Sequence, residues 1–202
     1  MAERSVEEAV AALRAGKPVV VPTDTVYGLV ADGYREAPAR RLFTLKERPE
    51  GMPCALLASD LETILDAIPE LRGRSAVLAR ALLPGPYTLV LANPARRFRW
   101  LCGGTPTAIG IRVPELGDAV RTVIKRAGVV AATSANLHGG PDPRRLDEVP
   151  SELLEAAGAS VDGGTLPGTP STVLDLTGPE PHVLREGAGS VDEALSRLAP
   201  IS

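Results

Sequence analysis

The sequence is poor in aromatic, histidine and cysteine residues. Its 202 residues include one Trp, three Tyr and two Phe, which argues against a nucleic-acid site built from stacked aromatic rings. The two cysteines form no CxxC pair, and the two histidines, His138 and His182, stand far apart. A zinc site made of Cys and His is therefore not expected, and neither is a Ser-His-Asp triad or a disulfide framework.

Long apolar runs and an export signal are also missing. No stretch approaches the ~20 apolar residues that a membrane span requires, and the first eight residues lack the basic and apolar regions of a signal peptide. Hydrophobic residues make up 44% and charged residues 23% of the chain, as in globular proteins. We therefore expect a cytoplasmic protein with a single domain over residues 1–202, in which 20 Gly and 19 Pro form many tight turns.

The formal net charge of −3 hides an uneven distribution. Residues 33–48 carry five basic and two acidic residues, and residues 95–126 carry seven basic and two acidic ones, so the remainder is strongly acidic. The two basic segments indicate either a positive cleft for phosphate or nucleic acid, or solvated helix faces. Most of the basic residues are arginine, whose guanidinium binds phosphate and carboxylate bidentately, although genome composition also explains such a bias.

Apolar periodicity and turn residues predict alternating helices and strands. Ser5 with Glu8 and Ser190 with Glu193 form candidate capping boxes, and Asp60 and Ser75 are candidate helix caps. Helices are predicted at 5–15, 38–45, 61–68, 75–83, 118–127, after Pro150 and after Ser190. Strands are predicted at 19–21, 54–57, 87–91, 109–113, 129–132, 171–176 and 182–185. The alternation indicates an α/β fold with a twisted mixed sheet, because strands near the C-terminus follow one another directly.

Four polar segments lie at strand ends, where ligands of open α/β sheets bind. They are residues 23–25, 46–48, 133–136 and 171–172. Helix caps and Ser/Thr turns explain most such residues, so each segment alone is a weak signal. Lys46 and Arg48 share one side if the segment before Pro49 is extended, which the proline favours.

Arginine interrupts two apolar strands. Arg112 lies within the run AIGIRV at 108–113, and Arg185 ends the run that begins at 183. A buried arginine needs an anionic partner, and here a ligand carboxylate or phosphate is as good a candidate as an ion pair with Asp24 or Asp162. The sequence has no Walker A motif and no GxGxxG after a strand, so any nucleotide would be held by Arg, Lys, hydroxyl and amide donors.

Eight ordered motifs over nearly the whole chain resemble those of the threonylcarbamoyl-AMP synthases and their YrdC-like relatives. They are PTDTVYGL (22–29), KERP (46–49), PGPYT (84–88), IRVP (111–114), SAN (134–136), DGG (162–164), STVLD (171–175) and LREG (184–187). The resemblance implies a single YrdC-like α/β domain, in which a twisted mixed sheet with flanking helices surrounds a positively charged cavity. The length is similar to that of the short family members, which lack an additional C-terminal domain.

The resemblance also implies an enzymatic activity. It indicates a nucleotidyltransferase that combines L-threonine, bicarbonate or CO2, and ATP with Mg2+ to give threonylcarbamoyl-AMP and pyrophosphate. A separate threonylcarbamoyl transferase complex would use this product to modify an adenosine beside the anticodon of tRNA. The reaction needs neither a protein nucleophile nor a metal site made by the protein, so a site rich in arginine and poor in histidine suits it.

Roles are carried over by position within the motifs. The residues that resemble threonine contacts are Thr25, Arg112, Ser134 and Ser171, with Arg112 opposite the amino-acid carboxylate. The residues that resemble ATP contacts are Arg48, Ala108, Asn136, Arg144 and Arg185, of which Ala108 would act through its main chain. Lys46 is similar to a phosphate-facing charge, and Lys46 and Arg48 are the catalytic candidates.

Four residues depart from the family pattern: Met52, Leu57, His138 and Arg144. They leave open a second hypothesis, a divergent or non-catalytic relative that binds double-stranded RNA, tRNA or ribosome-associated RNA through the basic segments. His138 is better explained as a solvated loop residue than as a catalytic base.

Overall fold

A computed structural model describes residues 2–49 and 51–201 of the protein. Its helices are α1 (Ala2–Arg14), α2 (Glu36–Leu45), α3 (Leu61–Ala67), α4 (Arg74–Leu82), α5 (Asp118–Ala127), α6 (Ser151–Ala156) and α7 (Val191–Leu198). Its strands are β1 (Val19–Pro22), β2 (Tyr27–Asp32), β3 (Ala55–Leu57), β4 (Tyr87–Ala92), β5 (Ala108–Arg112), β6 (Val130–Ser134), β7 (Ala159–Ser160), β8 (Thr172–Asp175) and β9 (His182–Arg185). None of these helices is long and apolar enough to cross a membrane.

All nine strands belong to one sheet, in the order β7-β1-β2-β6-β3-β5-β4-β8-β9. The pairs β1–β7, β3–β5 and β4–β8 are parallel, and the other five pairs are antiparallel. The consecutive strands β8 and β9 form an antiparallel pair at one edge. The predicted α/β class with a mixed sheet is therefore confirmed.

The two faces of the sheet are covered differently. One face packs against α2, α3, α4, α6 and α7 and forms the larger hydrophobic cluster, with Leu29, Leu56 and Ile111 at its centre. On the other face, α1 and α5 cover Val19, Val30 and other residues of β1, β2 and β6. Because these two helices cover only part of that face, the adjoining part stays open and forms a cavity.

Two of the four helix caps are as predicted, and two are not. The Asp60 carboxylate accepts from Thr63 N at 2.8 Å, and Ser190 Oγ accepts from Glu193 N at 3.2 Å. The Glu193 carboxylate accepts from Arg197 instead of completing the predicted capping box. The caps at Ser5 and Ser75 are wrong. Helix α1 already begins at Ala2, because the preceding residues also favour a helix. Helix α4 begins after Gly73, whose φ of 75° reverses the chain in a way that glycine allows.

Two strands were not predicted. Strand β2 forms a hairpin with β1, and five of its six residues are buried, so the run YGLVAD lacks the polar alternation that marks a half-exposed strand. Strand β7 has only two residues and adds to the outer edge of β1. These additions lengthen the sheet without changing its class.

Candidate active site

A cavity of about 650 Å3 opens on the partly covered face of the sheet. Its floor consists of alternate residues of neighbouring strands, because side chains two apart on a strand share a face. Five of these positions hold very small residues: Gly28, Ala55, Ala108, Gly110 and Ala132. The intervening residues, such as Ile109 and Ile111, point into the core on the other face. The volume lies within the range of small-molecule sites.

Four basic side chains line this cavity, together with one carboxylate among the described residues. The basic residues are Lys46, Arg48, Arg112 and Arg185, and the carboxylate is Asp175. Other arginines of the two basic segments lie at the surface in ion pairs, as Arg35 does with Asp32 and Arg97 with Glu70. The residues of the two basic segments are therefore divided between the cavity lining, with Lys46, Arg48 and Arg112, and the surface.

Arg112 is held by the turn that follows β1. Its Nη2 donates to Asp24 Oδ1 at 2.5 Å and to Thr25 Oγ1 at 2.6 Å. Of the two ion-pair partners considered from the sequence, the structure selects Asp24. The Nε atom of Arg112 is the one buried side-chain nitrogen or oxygen, within residues 2–49 and 51–201, that has no hydrogen-bond partner. A buried polar atom without a partner is energetically unfavourable, which sets Arg112 apart among the described residues.

Burial affects both members of this ion pair. It raises the pKa of Asp24 and lowers the pKa of Arg112, while the attraction between the two charges acts in the opposite direction for each. The turn itself is fixed by Thr23, whose hydroxyl donates to Val26 O at 2.7 Å and accepts from Thr25 N at 3.3 Å. This Ser/Thr-type turn brings Thr25 Oγ1 to the guanidinium.

Lys46 joins the end of α2 to the turn after β6. Its ammonium donates to Ser134 O, to Asn136 O at 2.6 Å and to Asn136 Oδ1 at 2.8 Å. Ser134 Oγ also donates to Asn136 Oδ1, at 2.6 Å. Desolvation, and secondarily the charge of Arg48, lower the pKa of Lys46 to about 8. The two motifs therefore form one structural unit, although they lie almost 90 residues apart in the chain.

The prediction of an extended segment at 46–48 is wrong. Lys46 ends α2, and Glu47 has a φ of 50°, so the chain makes a left-handed turn. Arg48 N then donates to Phe43 O at 3.0 Å, as in a helix C-terminal motif. Lys46 and Arg48 nevertheless both line the cavity, and the Arg48 guanidinium carbon lies 5.9 Å from the centre of the Phe43 ring.

Ser171 and Arg185 meet beside Thr88. Arg185 donates from Nη2 to Ser171 O at 2.8 Å and to Ser171 Oγ at 3.2 Å, and the two hydroxyl oxygens of Ser171 and Thr88 lie 2.8 Å apart. The partners of Arg185 are thus uncharged. Its positive charge is close enough to oppose the charged form of Arg112 and contributes to lowering that pKa. Two neighbouring guanidinium groups favour an anionic ligand.

Most of the site residues chosen from the sequence come together at this cavity. Those that line it are Lys46, Arg48, Ala108, Arg112, Ser134, Asn136, Ser171 and Arg185. Thr25 is fully buried beneath Arg112. Arg144 is exposed and lies outside the lining. Of the four departures from the family pattern, Met52, Leu57 and His138 line the cavity.

Sequence reasoning missed Thr88 and Asp175 as lining residues. Both stand within motifs, and Thr88 is a polar residue in an otherwise apolar strand, the same signal that singled out Arg112. No group of three or more His, Cys, Asp or Glu among the described residues is placed to hold a metal ion.

The fold and the cavity define an α/β domain in which basic and hydroxyl side chains line a cavity on an open sheet face. A family profile described as "Telomere recombination", which covers the Sua5, YciO and YrdC proteins, matches residues 11–187. The chain belongs to this Sua5/YciO/YrdC family.

Individual relatives agree with this assignment. The threonylcarbamoyl-AMP synthase of Stenotrophomonas maltophilia is 35% identical over 170 residues, which cover 82% of this chain and 89% of that protein. The crystal structure of Pyrococcus abyssi Sua5 complexed with L-threonine superposes with a TM-score of 0.86 at 31% identity, over 96% of this chain and 57% of that one. E. coli YciO gives a TM-score of 0.83 at 28% identity, over 96% and 94% of the two chains. The chain therefore spans a little over half the length of Sua5 and nearly all of YciO.

Proposed function

We propose that the protein is an L-threonylcarbamoyladenylate synthase. It combines L-threonine, bicarbonate or CO2, and ATP to give threonylcarbamoyl-AMP and pyrophosphate. The observation that carries the proposal is Arg112, a nearly buried guanidinium that lines the cavity and feels the charge of a second lining guanidinium, Arg185. An amino-acid carboxylate is a ligand that would offset this positive charge through charge-assisted hydrogen bonds.

The amino acid would occupy the part of the cavity near Arg112. Arg112 and Ser171 would contact it, with Thr25 holding Arg112 from beneath and Ser134 two strands away on β6. Arg112 would bind the carboxylate through the exposed part of its guanidinium, because its Nη2 is already held by Asp24 and Thr25. The Ser171 and Thr88 hydroxyls, 2.8 Å apart, supply neutral donors and acceptors for the rest of the substrate.

ATP would occupy the part of the cavity between β5 and the turn after β6. Arg48 and Arg185 supply charges for the phosphates, and Ala108 and Asn136 supply polar contacts. Lys46 lies at the cavity but uses its ammonium on Ser134 and Asn136, so it acts on the phosphates as a nearby charge and holds that turn in place. Mg2+ would enter as part of the MgATP substrate, since Mg2+ is usually bound by substrate phosphates with one or two carboxylates, and Asp175 is the carboxylate that the lining offers.

The proposed reaction needs no protein nucleophile. The threonine amine adds to CO2 and loses a proton, which gives a carbamate. A carbamate oxygen then attacks the α-phosphorus of ATP, the bond to the bridging oxygen of the β-phosphate breaks, and pyrophosphate leaves with that electron pair. The charges of Lys46, Arg48 and Arg185 stabilise the phosphoryl group and the leaving pyrophosphate, so positioning and electrostatics supply the catalysis. A separate transferase would then pass the threonylcarbamoyl group to tRNA.

Product formation tests the proposal. The purified protein is incubated with ATP, Mg2+, labelled bicarbonate and L-threonine, and labelled acyl-adenylate and pyrophosphate are measured. We expect both products, dependent on threonine, and their loss in Arg112→Gln, which removes the charge opposite the carboxylate. Salt-sensitive binding of double-stranded RNA or tRNA with no acyl-adenylate would favour the divergent RNA-binding relative instead.

A further inference from the structure

Residues 162–170, which we call the 162–170 loop, connect β7 to β8 without regular secondary structure. The loop runs beside the cavity, where Pro170 is one of the lining residues. Most of its residues are at least partly exposed. A segment of this kind is held by a small number of contacts, and each of them matters for its position.

Hydrogen bonds attach the loop to the rest of the domain at several places, one of them its last residue, where Pro170 O accepts from Ala188 N at 2.8 Å. At its start, the buried hydroxyl of Tyr27 accepts from Gly163 N at 2.9 Å. In its middle, Leu166 N donates to Arg144 O at 2.8 Å, and Arg144 Nε donates to Leu166 O at 3.2 Å. Towards its end, Gly168 N donates to Thr25 O at 2.9 Å. The last contact joins the loop to the turn that holds Arg112.

Arg144 also fixes Gly168 by packing. The Gly168 backbone has a φ of 89°, and a Cβ placed there would overlap Cγ and Cδ of Arg144. The stem of the arginine therefore lies directly on the glycine that donates to Thr25. The main-chain amide of Arg144 donates to Glu148 Oε2 at 2.7 Å, which anchors the arginine in turn.

We propose that Arg144 is a positioning residue for the amino-acid subsite. It holds Leu166 and Gly168 so that the Gly168 amide stays on the Thr25 carbonyl, and Thr25 in turn keeps its hydroxyl on the Arg112 guanidinium. Arg144 does not line the cavity, so it acts through the loop and not on a substrate. The link to an amino acid depends on the proposed function, but the link from Arg144 to Thr25 does not.

Hydrogen exchange and calorimetry on Arg144→Ala test this inference. We expect the Gly168 amide to exchange about tenfold faster, the effect of losing one hydrogen bond from a charged donor. We expect L-threonine to bind roughly fivefold to tenfold more weakly, and MgATP to bind within about twofold of wild type, because the loop contacts the amino-acid end. Arg74→Ala is the matched control, since Arg74 holds a different exposed turn through Gly178 O and Pro179 O and lies outside the cavity lining.

A second variant separates positioning from misfolding. Gly168→Ala should accelerate exchange at residue 168 and weaken threonine binding, because the new Cβ displaces Arg144. In the double variant with Arg144→Ala this overlap is gone, although the backbone strain at residue 168 remains. The loss of threonine affinity in the double variant should therefore be smaller than the sum of the losses in the two single variants.

Two results would overturn the inference. One is unchanged exchange at Gly168 in Arg144→Ala, and the other is a selective loss of MgATP affinity, which would make Arg144 a nucleotide contact. If the wild-type protein binds no L-threonine, the proposed function fails, whereas the exchange of Gly168 still decides whether Arg144 holds the loop.

Discussion

Arg112 and Asp24 form a nearly buried ion pair, with Nη2 of the arginine 2.5 Å from Oδ1 of the aspartate. The side chains are only 12% and 10% exposed. Burial opposes the charged form of each partner, which shifts the two pKa values in the directions described above. A buried pair of this kind contributes little net stability compared with apolar residues. Its value here is that it fixes the position of a guanidinium that lines the cavity.

Removing one partner of this pair should be costly. In Asp24→Asn the Arg112 charge stays buried without compensation, so we expect the free energy of unfolding to fall by about 3 kcal/mol. Threonine binding should weaken as well, because the guanidinium loses its orientation. Denaturant unfolding and calorimetry measure the two effects.

Glu70→Gln provides the control for Asp24→Asn. Glu70 pairs with Arg97 at 2.7 Å, but their side chains are 30% and 45% exposed, so its loss should cost less than about 1 kcal/mol. Equal costs for the two substitutions would show that the Arg112 pair is no more important than a surface pair.

The lowered pKa of Lys46 predicts that stability and ATP binding both depend on pH. Its pKa of about 8 lies below the ordinary value of 10.5, so between these pH values the folded protein binds fewer protons at this site than the unfolded chain. The contribution of Lys46 to the free energy of unfolding should therefore increase as the pH rises from 8 to about 10.5. ATP binding should weaken over the same range, because the charge near the phosphates is lost.

Lys46→Met serves as the reference for this pH dependence. The variant keeps an unbranched side chain and has no titrating group at this position. The unfolding free energy of the wild type minus that of the variant should therefore increase as the pH rises above 8. A difference that is constant from pH 7 to 10 would contradict the assigned pKa.

The sequence predicts the elements of this fold better than their ends. Helix α5 and strand β9 have the predicted bounds, because Gly128 ends the helix and a short apolar run defines the strand. Caps at Ser5 and Ser75 fail because a favourable hydroxyl does not start a helix when neighbouring residues extend it or a glycine starts it elsewhere. Strand β2 is not predicted because it is buried on both faces and so lacks polar alternation.

The candidate site, like the fold, is predicted in part from the sequence. The residue types and motif order bring together most of the cavity, but partners across the sheet depend on its tertiary geometry. The pattern around Arg112 indicates an anionic partner, and only the fold decides for Asp24 over Asp162, which lies instead at the Tyr27 hydroxyl. The resemblance places Arg144 among the ATP contacts together with Asn136, but its side chain lies outside the cavity lining and donates to Leu166 O.

Tyr27→Phe should loosen the start of the 162–170 loop. The Tyr27 ring is fully buried, and its hydroxyl lies 3.0 Å from both Asp162 Oδ1 and Gly164 O while accepting from Gly163 N. Loss of the hydroxyl leaves the Gly163 amide without this acceptor, so we expect the unfolding free energy to fall by about 1–2 kcal/mol. Exchange of the Gly163 amide should accelerate more than exchange of Gly168, which has its own contact to Thr25. Equal acceleration of both amides would indicate that the loop moves as one piece.

Because the cavity floor consists of small residues, a larger side chain there should weaken ligand binding while the protein still folds. A Cβ on Gly110 would lie 3.7 Å from Thr88 Cγ2 and 4.0 Å from Ala55 Cα, which are ordinary contacts. Gly110→Val should therefore fold with unchanged or higher thermal stability, because valine suits a strand better than glycine. Its methyl groups would occupy the cavity, so ligand binding should weaken by roughly tenfold or more.

Ile109→Val is the matched control on the same strand, because this residue faces the core and is 1% exposed. It should lower the unfolding free energy by about 1 kcal/mol and leave binding unchanged. The two substitutions thus have opposite expected effects, one on binding and one on stability. Wild-type affinity for both MgATP and L-threonine in Gly110→Val would show that the ligands do not use this part of the sheet, and the assignment of the cavity floor would have to be abandoned.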